Sequence, residues 1–452
     1  MIAISWMSYS SGYGQVQSLR QILEQSTTQF PFLKARQAEV RSAQQRQRAV
    51  ETDRLPIVMV QDQYTYSTNN SLAGSTFNSD ATPVSISGGV RPDNIYEGVF
   101  GSFTSVTAEW RVINFGRVKS SIKAAKADVQ RSQEDYQNEL FQHQIRVTDS
   151  YLTLLINQKL VQLQNQNLER AITFKKVVDS GVKSGMRAGV DSALATAEVS
   201  RAQLLLLESQ QKEQIQRLRL SELTGVVRDN LQVDSLRFYT ALPTSPSATD
   251  SLSFNHPTLR FYRSQVDWSA ARSQALSRAY WPTIAVVGAG WARGSGVLND
   301  GDVYRTDFAS GVKYQVANYL VGLSARWNVT NVFKQRNEYH AEVAQAERFQ
   351  HLFTEQSNRL DRLNREAVTQ FRLTLEQARQ VPVQLRAARQ AYQQAQARYK
   401  NGLTDLPTLI QSLLTLNRAE IDLYVANSNA WRSLLLISAA EGDLNLFLDQ
   451  VP

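Results

Sequence analysis

The sequence of 452 residues contains no cysteine. Neither a disulfide nor a thiolate metal site is therefore available, and the absence fits an oxidising compartment, where stray thiols would cross-pair. No run of about 18 apolar residues occurs, which excludes a transmembrane helix. Histidine is scarce: His143, His256, His340 and His351 are the only four. None makes an HExxH pair or stands four residues from another, so no metal site is expected. The stretch "GAGWARG" at 288–294 follows a strand pattern but opens no helix, which makes it a glycine-thinned strand rather than a phosphate loop. Nothing resembles a nucleophile elbow. The sequence therefore points away from an enzyme: no catalytic residue, cofactor site or metal ligand is expected. The net charge of +8 is spread over Lys and Arg mixed with Asp and Glu. That pattern belongs to solvated helix faces, not to a nucleic-acid surface.

What is present is a repeat. "TAEWRVINF" at 107–115 returns as "SARWNVTNV" at 324–332, in register at an offset of 217. The register holds through Ala124/Ala341 and Ala127/Ala344 to Gly185/Gly402, without a net insertion. A block upstream, from Pro31 to Pro56, aligns with Pro257 to Pro282 at an offset of 226. A chance match of two Trp motifs would not keep register so far, so the chain is two tandem copies. The first spans 17–225 and the second 254–449. A Pro- and Ser-rich connector at 226–253 joins them. Residues 1–16 read as a signal remnant or a disordered tail.

Each copy has the same predicted order. A helix ends at an X-Pro pair, Leu55-Pro56 or Trp281-Pro282, because the residue before proline disfavours helix. Strands follow at 55–68 and 99–114 in the first copy, and at 283–293 and 318–330 in the second. A Ser, Asn and Gly-rich loop separates each pair. From 319 to 329, Tyr319, Val321, Leu323, Ala325 and Trp327 alternate with mainly polar residues, the period of a strand with one apolar face. Long helices at 117–180 and 334–400 carry a thin, partly polar seam in steps of three and four, Ile122, Ala125, Val129, Ser132 and Tyr136 among them. Such a seam suits helices that touch neighbours on two sides. Each long helix stops at a glycine turn, Gly185 or Gly402, and a return helix follows at 191–224 or 405–440. Asp191 and Asp405 are the expected N-caps of the return helices, and Asp191 is placed in a longer turn. Pro382 falls inside the second long helix, where it is expected to kink or break it. The fold class is mainly α with β: tandem long-helix hairpins plus four strands per chain. Four strands cannot close a barrel, for which about eight are needed, so unpaired edges call for other chains.

With "AEWRVINFGR" and "ARWNVTNVFK" leading into long helices, "ARYKNGLTDLPTLIQS" at 397–412 and "LSELTG" at 220–225, the chain resembles the TolC-like outer-membrane efflux proteins. The resemblance implies a homotrimer with one 12-stranded outer-membrane β-barrel and a periplasmic α-helical barrel. It implies a passive exit duct in the outer membrane of a Gram-negative bacterium, with a large periplasmic part, serving efflux or type I secretion. The implied partners are outer-membrane lipid, a periplasmic adaptor (membrane fusion) protein and an inner-membrane pump of RND, ABC or MFS type. The helical turns would form the periplasmic tip, with Gly185, Arg187, Asp191, Gly402 and Asp405 as gate and adaptor-contact residues. Trp110 and Trp327 would lie at the membrane interface, where amphipathic rings settle. Thr408 stands where some relatives carry a second Asp, so a double acidic ring is not implied. The alternative is a soluble periplasmic coiled-coil scaffold.

Overall fold

A computed structural model describes residues 16–68, 93–225, 232–234, 236–245, 255–298 and 303–451. The N-terminal tail and most of the first predicted loop fall outside that set. In chain order the first copy contains β1 (Val16–Gln17), α1 (Leu19–Gln29), α2 (Pro31–Glu51), β2 (Ile57–Ser67), β3 (Val99–Ile113), α3 (Arg117–Lys183) and α4 (Gly189–Thr224). The connector holds β4 (Gln232–Val233) and α5 (Leu236–Thr240). The second copy contains α6 (Pro257–Leu276), β5 (Thr283–Ser295), α7 (Phe308–Val312), β6 (Val316–Arg326), α8 (Asn331–Lys400), α9 (Leu406–Glu441) and α10 (Asn445–Leu448). The single helix expected ahead of Leu55-Pro56 is two helices, α1 and α2, parted at Phe30. Ser18 opens α1 through a capping box with Gln21, a Ser-x-x-Gln signal present in the sequence. The chain then restarts at Pro31, where a missing N–H costs nothing. Helix α8 continues through Pro382 to Lys400 instead of ending there.

The chain divides into two compact units. The first takes residues 1–43, 128–268 and 346–452. Its core joins α1, α3, α4, α9 and α10 through Ile22, Tyr151, Leu154, Leu220, Trp431 and Phe447, all essentially excluded from solvent, and Val233 and Phe238 of the connector pack into it. Each such side chain contributes about 1.5–3 kcal/mol by leaving water. The connector is fastened by polar bonds from that core. The Tyr151 hydroxyl donates to the Asp234 carbonyl at 2.7 Å, and the Trp431 indole N–H to the Ala241 carbonyl at 3.1 Å. β1 and β4 pair in parallel. His143 lies fully buried, stacked on Phe30 at 4.2 Å between ring centroids. Burial pushes its pKa down to about 4, and Arg146 adds to the effect. The imidazole is therefore neutral at ordinary pH.

The second unit takes residues 44–127 and 269–345. Its four-stranded antiparallel sheet has the order β2-β3-β5-β6. The two copies thus each supply a hairpin, and β3 and β5 join them in the middle. Between α6 and α8, the Ser269 hydroxyl donates to the buried Glu342 carboxylate at 2.7 Å. Arg272 approaches the same carboxylate at 3.3 Å.

Candidate functional site

In the first unit, both predicted glycine turns have one geometry. The chain leaves α3 at Lys183 and enters α4 at Gly189; it leaves α8 at Lys400 and enters α9 at Leu406. The turns are of equal length, so the longer turn expected for the first copy is not found. Gly185 has φ +73° and Gly402 φ +71°. Gly185 N–H donates to the Val182 carbonyl and Met186 N–H to the Gly181 carbonyl. Gly402 N–H donates to the Tyr399 carbonyl and Leu403 N–H to the Arg398 carbonyl. Both are Schellman stops, in which a left-handed residue turns the last carbonyls back onto the chain.

The starts differ. Asp405 is the N-cap of α9, its carboxylate accepting from the Thr408 N–H at 3.1 Å. Bonding from Thr408, hydroxyl first and then backbone N–H, holds the exposed carboxyl below the usual range. Asp191 is not an N-cap. Ala188 takes that place without a side-chain bond, and Asp191 sits in the first turn of α4. Its own N–H already donates to the Ala188 carbonyl. A carboxylate there still faces the positive end of the helix dipole.

Arg187 links the two turns. Its guanidinium donates to the Tyr399 carbonyl at 2.6 Å and lies over the Tyr399 ring at 4.0 Å. Tyr399 is buried and packs in a small core with Val178, Ala195, Leu406 and Leu409. Burial raises its hydroxyl pKa, the guanidinium opposes this, and the nearby Asp191 carboxylate adds to the rise. Sequence reading missed Tyr399, whose signal is its place one turn ahead of Gly402. Below the turns, Asp179 accepts from Lys175 at 2.5 Å and from Ser192 at 2.7 Å, tying α3 to α4. Arg170 and Glu420 form a two-pronged pair at 3.1 and 2.7 Å between α3 and α9. Met186 and Leu403, equivalent residues of the two turns, are both exposed.

In the second unit, pairing register sorts the sheet into two faces. Val58, Ala108, Gly288 and Val321 lie side by side, as do Val60, Val106, Gly290 and Tyr319. Trp110, Val286 and Leu323 make the next row. Apart from the half-buried Ala108 and Gly288, this is an exposed apolar face: Tyr319, Val321 and Leu323 are 86%, 77% and 77% accessible. The other face is mixed: it carries Gln61, Ser105, Thr107 and Glu109 but also Ile57, Met59, Trp291 and Leu320, and there Glu109 meets Arg111 at 3.0 Å and Arg326 at 3.9 Å. β2 and β6 are the free edges of this sheet. Trp110 and Trp327 are anchored alike. Each indole N–H donates at 3.0 Å to a carbonyl at the end of the preceding helical segment, Arg54 for Trp110 and Tyr280 for Trp327. Both rings are half exposed.

No described helix is long and apolar enough to cross a membrane. Among the described residues no group of three or more His, Asp or Glu suits a metal ion.

Residues 21–226 match the model of the outer membrane efflux protein family. No curated protein matches in sequence. Solved structures match over nearly the whole chain. The Campylobacter jejuni CmeC outer membrane channel aligns at TM-score 0.76 and 14% identity, covering 98% of this chain and 94% of that one. CusC aligns at 0.78 and 12%, covering 96% of each chain. The Vibrio cholerae outer membrane protein VceC aligns at 0.74 and 13%, covering 94% of this chain and 96% of that one. The resemblance to TolC-like outer-membrane efflux proteins therefore holds, by a family model over the first copy and by fold over both.

Proposed function

We propose, for a chain with the outer membrane efflux protein signature and the fold of outer-membrane channels, that it is one third of an exit duct. Three copies close their sheets edge to edge into a single 12-stranded barrel, and their helices line a periplasmic tunnel. The duct conducts passively and catalyses nothing. An inner-membrane pump supplies the cargo, and a periplasmic adaptor docks on the helical turns. The cell is Gram-negative, and the barrel lies in its outer membrane.

One observation carries this reading: a four-stranded sheet with two free edges and an accessible apolar face. Free edges invite pairing, and an exposed apolar belt across the strands is the pattern of a membrane barrel's outer wall. The helices add support. Leu204, Leu207, Ile215 and Leu218 leave an apolar stripe exposed along α4, spaced as a seam for a neighbouring helix. A soluble scaffold would leave both features in water. Trp110 and Trp327 mark the periplasmic side of the belt, since α3 and α8 follow them within a few residues. At the tip, three-fold symmetry gathers one Asp405 per chain into a carboxylate ring, which attracts cations and narrows the exit for anions. Asp191 and Arg187 flank that ring.

The test is mass measurement of detergent-solubilised protein, with conductance in planar bilayers. A trimer that forms conducting pores is expected. A stable monomer, or recovery in the soluble periplasmic fraction without detergent, overturns the duct.

A further inference from the structure

Toward the far end of the strands the apolar rows stop at Val106 and Tyr319. From there to Trp110 is four steps along β3, about 13 Å, and to Trp327 eight steps, about 26 Å, which at a tilt of about 40° is about 20 Å and still short of a barrel's apolar band. Beyond them, on the same face, come Asp62 and Thr104, then Ser102 beside Gly294. Left bare, that region would present a carboxylate, hydroxyls and glycine backbone to hydrocarbon, where unsatisfied polar groups are costly.

The segment 303–315, which contains α7, lies on this region. Its fit is close. A Cβ on Gly294 would stand 2.3 Å from the Lys313 carbonyl oxygen, and one on Gly311 would stand 2.3 Å from the Phe100 carbonyl oxygen. Such distances force backbone to shift, so both contacts need the bare glycine. The polar groups beneath are used up. The Ser102 hydroxyl donates to the Val312 carbonyl at 3.1 Å, and the Thr104 hydroxyl shares hydrogen bonds with Asp62 and the Tyr314 hydroxyl. The Gln315 N–H donates to the Arg293 carbonyl at 2.8 Å. Outward, the segment offers aromatic surface. Phe308 packs on Phe100 at 5.2 Å and on Tyr64 at 6.3 Å, yet is 56% exposed. Tyr314 and Tyr66 are exposed beside it.

We infer that segment 303–315 is a lipid-facing cover that completes the apolar belt and seats it in the outer leaflet. This rests on the barrel reading above. Phe100 and Trp110 are ten residues apart on β3, about 33 Å of strand. At a tilt of about 40° that is about 25 Å of membrane depth, the height of a barrel's apolar band. The cluster of Tyr64, Tyr66, Phe308 and Tyr314 then forms the outer aromatic girdle, opposite Trp110 and Trp327. The partner is the bilayer itself, at the level where headgroups meet acyl chains.

The chain has no native cysteine, so a single introduced thiol can carry a spin label. Phe308→Cys is compared in reconstituted vesicles with Leu323→Cys, in the belt, and Met186→Cys, in a helical turn. Tyr314→Cys replaces Phe308→Cys if the latter fails to assemble. The readout is collision with oxygen, which enters lipid, against a nickel chelate, which does not. The ratio at Phe308 and at Leu323 is expected to be several-fold above that at Met186. A lipid-like Leu323 with a water-like Phe308 overturns the cover but leaves the barrel standing. A water-like Leu323 overturns the barrel and the cover with it.

Discussion

In the first copy Ala188 precedes α4 and offers the helix no side-chain bond; in the second, Asp405 holds the same place before α9 and accepts from Thr408. Deeper in the same unit the copies part again. Phe30 stacks on His143 in the first copy. The aligned positions of the second hold His256 and Leu360. His256 is buried but satisfied: its Nδ1 accepts from the Thr258 N–H, and its Nε2 lies 3.1 Å from the Ala439 carbonyl. Yet the helix stops, Gly185 and Gly402, are the same to the last hydrogen bond. Backbone geometry is kept in both copies, while side-chain solutions are free to drift. A duct built from three chains would thus present six hairpins of two alternating kinds, alike in shape and unlike in charge.

The largest expected difference is in acid. His143 titrates near 4 in the folded chain and near 6.5 when unfolded. The unfolded state therefore binds more protons between those values. Stability is fully present above about pH 6.5 and falls as pH drops toward 4, by at most about 3 kcal/mol. His143→Leu, which installs the residue of the second copy, should flatten much of that acid limb in thermal unfolding followed by helical signal. An unchanged limb would mean that other groups, His256 among them, carry the pH dependence.

Next is the asymmetric bridge. Arg187→Ala removes a charged hydrogen bond to the Tyr399 carbonyl and the ring contact, together about 2 kcal/mol. Faster amide exchange in the last turn of α8 should report it. Arg187→Lys keeps the charge but lacks the planar face, so it should recover only part. The first copy would then be seen to hold the second.

Smaller effects test the equality of the stops. Neither Gly185 nor Gly402 has any atom within 4 Å of an added Cβ, so Gly→Ala costs only the left-handed backbone, about 1 kcal/mol at each. Amide protection at Met186 and Leu403 should fall equally in the two variants. Unequal losses would break the comparison. Ala188→Asp should give the first copy the cap it lacks, a gain of about 1 kcal/mol read as slower exchange at the start of α4.

The repeat, the four strands and the long hairpins were legible because they rest on period and register. The alternation from Tyr319 to Leu323 and the X-Pro stops survive any tertiary context. The misreadings have local causes. Asp191 looked like a cap because Asp405 is one, and alanine at 188 leaves no mark in a sequence. Only equal turn lengths reveal that Ala188 is the counterpart. Pro382 was expected to interrupt α8, but a helix of 70 residues loses little by missing one bond. Segment 303–315 read as loop, because α7 has only five residues and no apolar period. Its purpose lies in what it covers, which no local pattern records. Arg187 was picked out as a residue of the tip; its partners are a carbonyl and a ring, and neither carries a charge pattern to search for.

The smallest structural effect carries the sharpest functional question. Asp405 does two things in the proposed duct: it caps α9, and it places a negative charge beside the axis. The cap needs an oxygen acceptor, which asparagine also provides at an N-cap. The ring needs charge, which asparagine lacks. Asp405→Asn should therefore leave the start of α9 and the trimer intact, with amide exchange at Thr408 unchanged. It should also abolish the loss of cap strength as pH falls below the ordinary carboxylate range, since the depressed pKa is what confers that loss. In planar bilayers, divalent-cation block of the wild-type pore should weaken severalfold in the variant. Ala188→Asp adds a carboxylate at the equivalent place in the first turn and should strengthen the block instead. If Asp405→Asn leaves both block and conductance as they were, Asp405 serves only to start its helix and the two copies differ in capping alone.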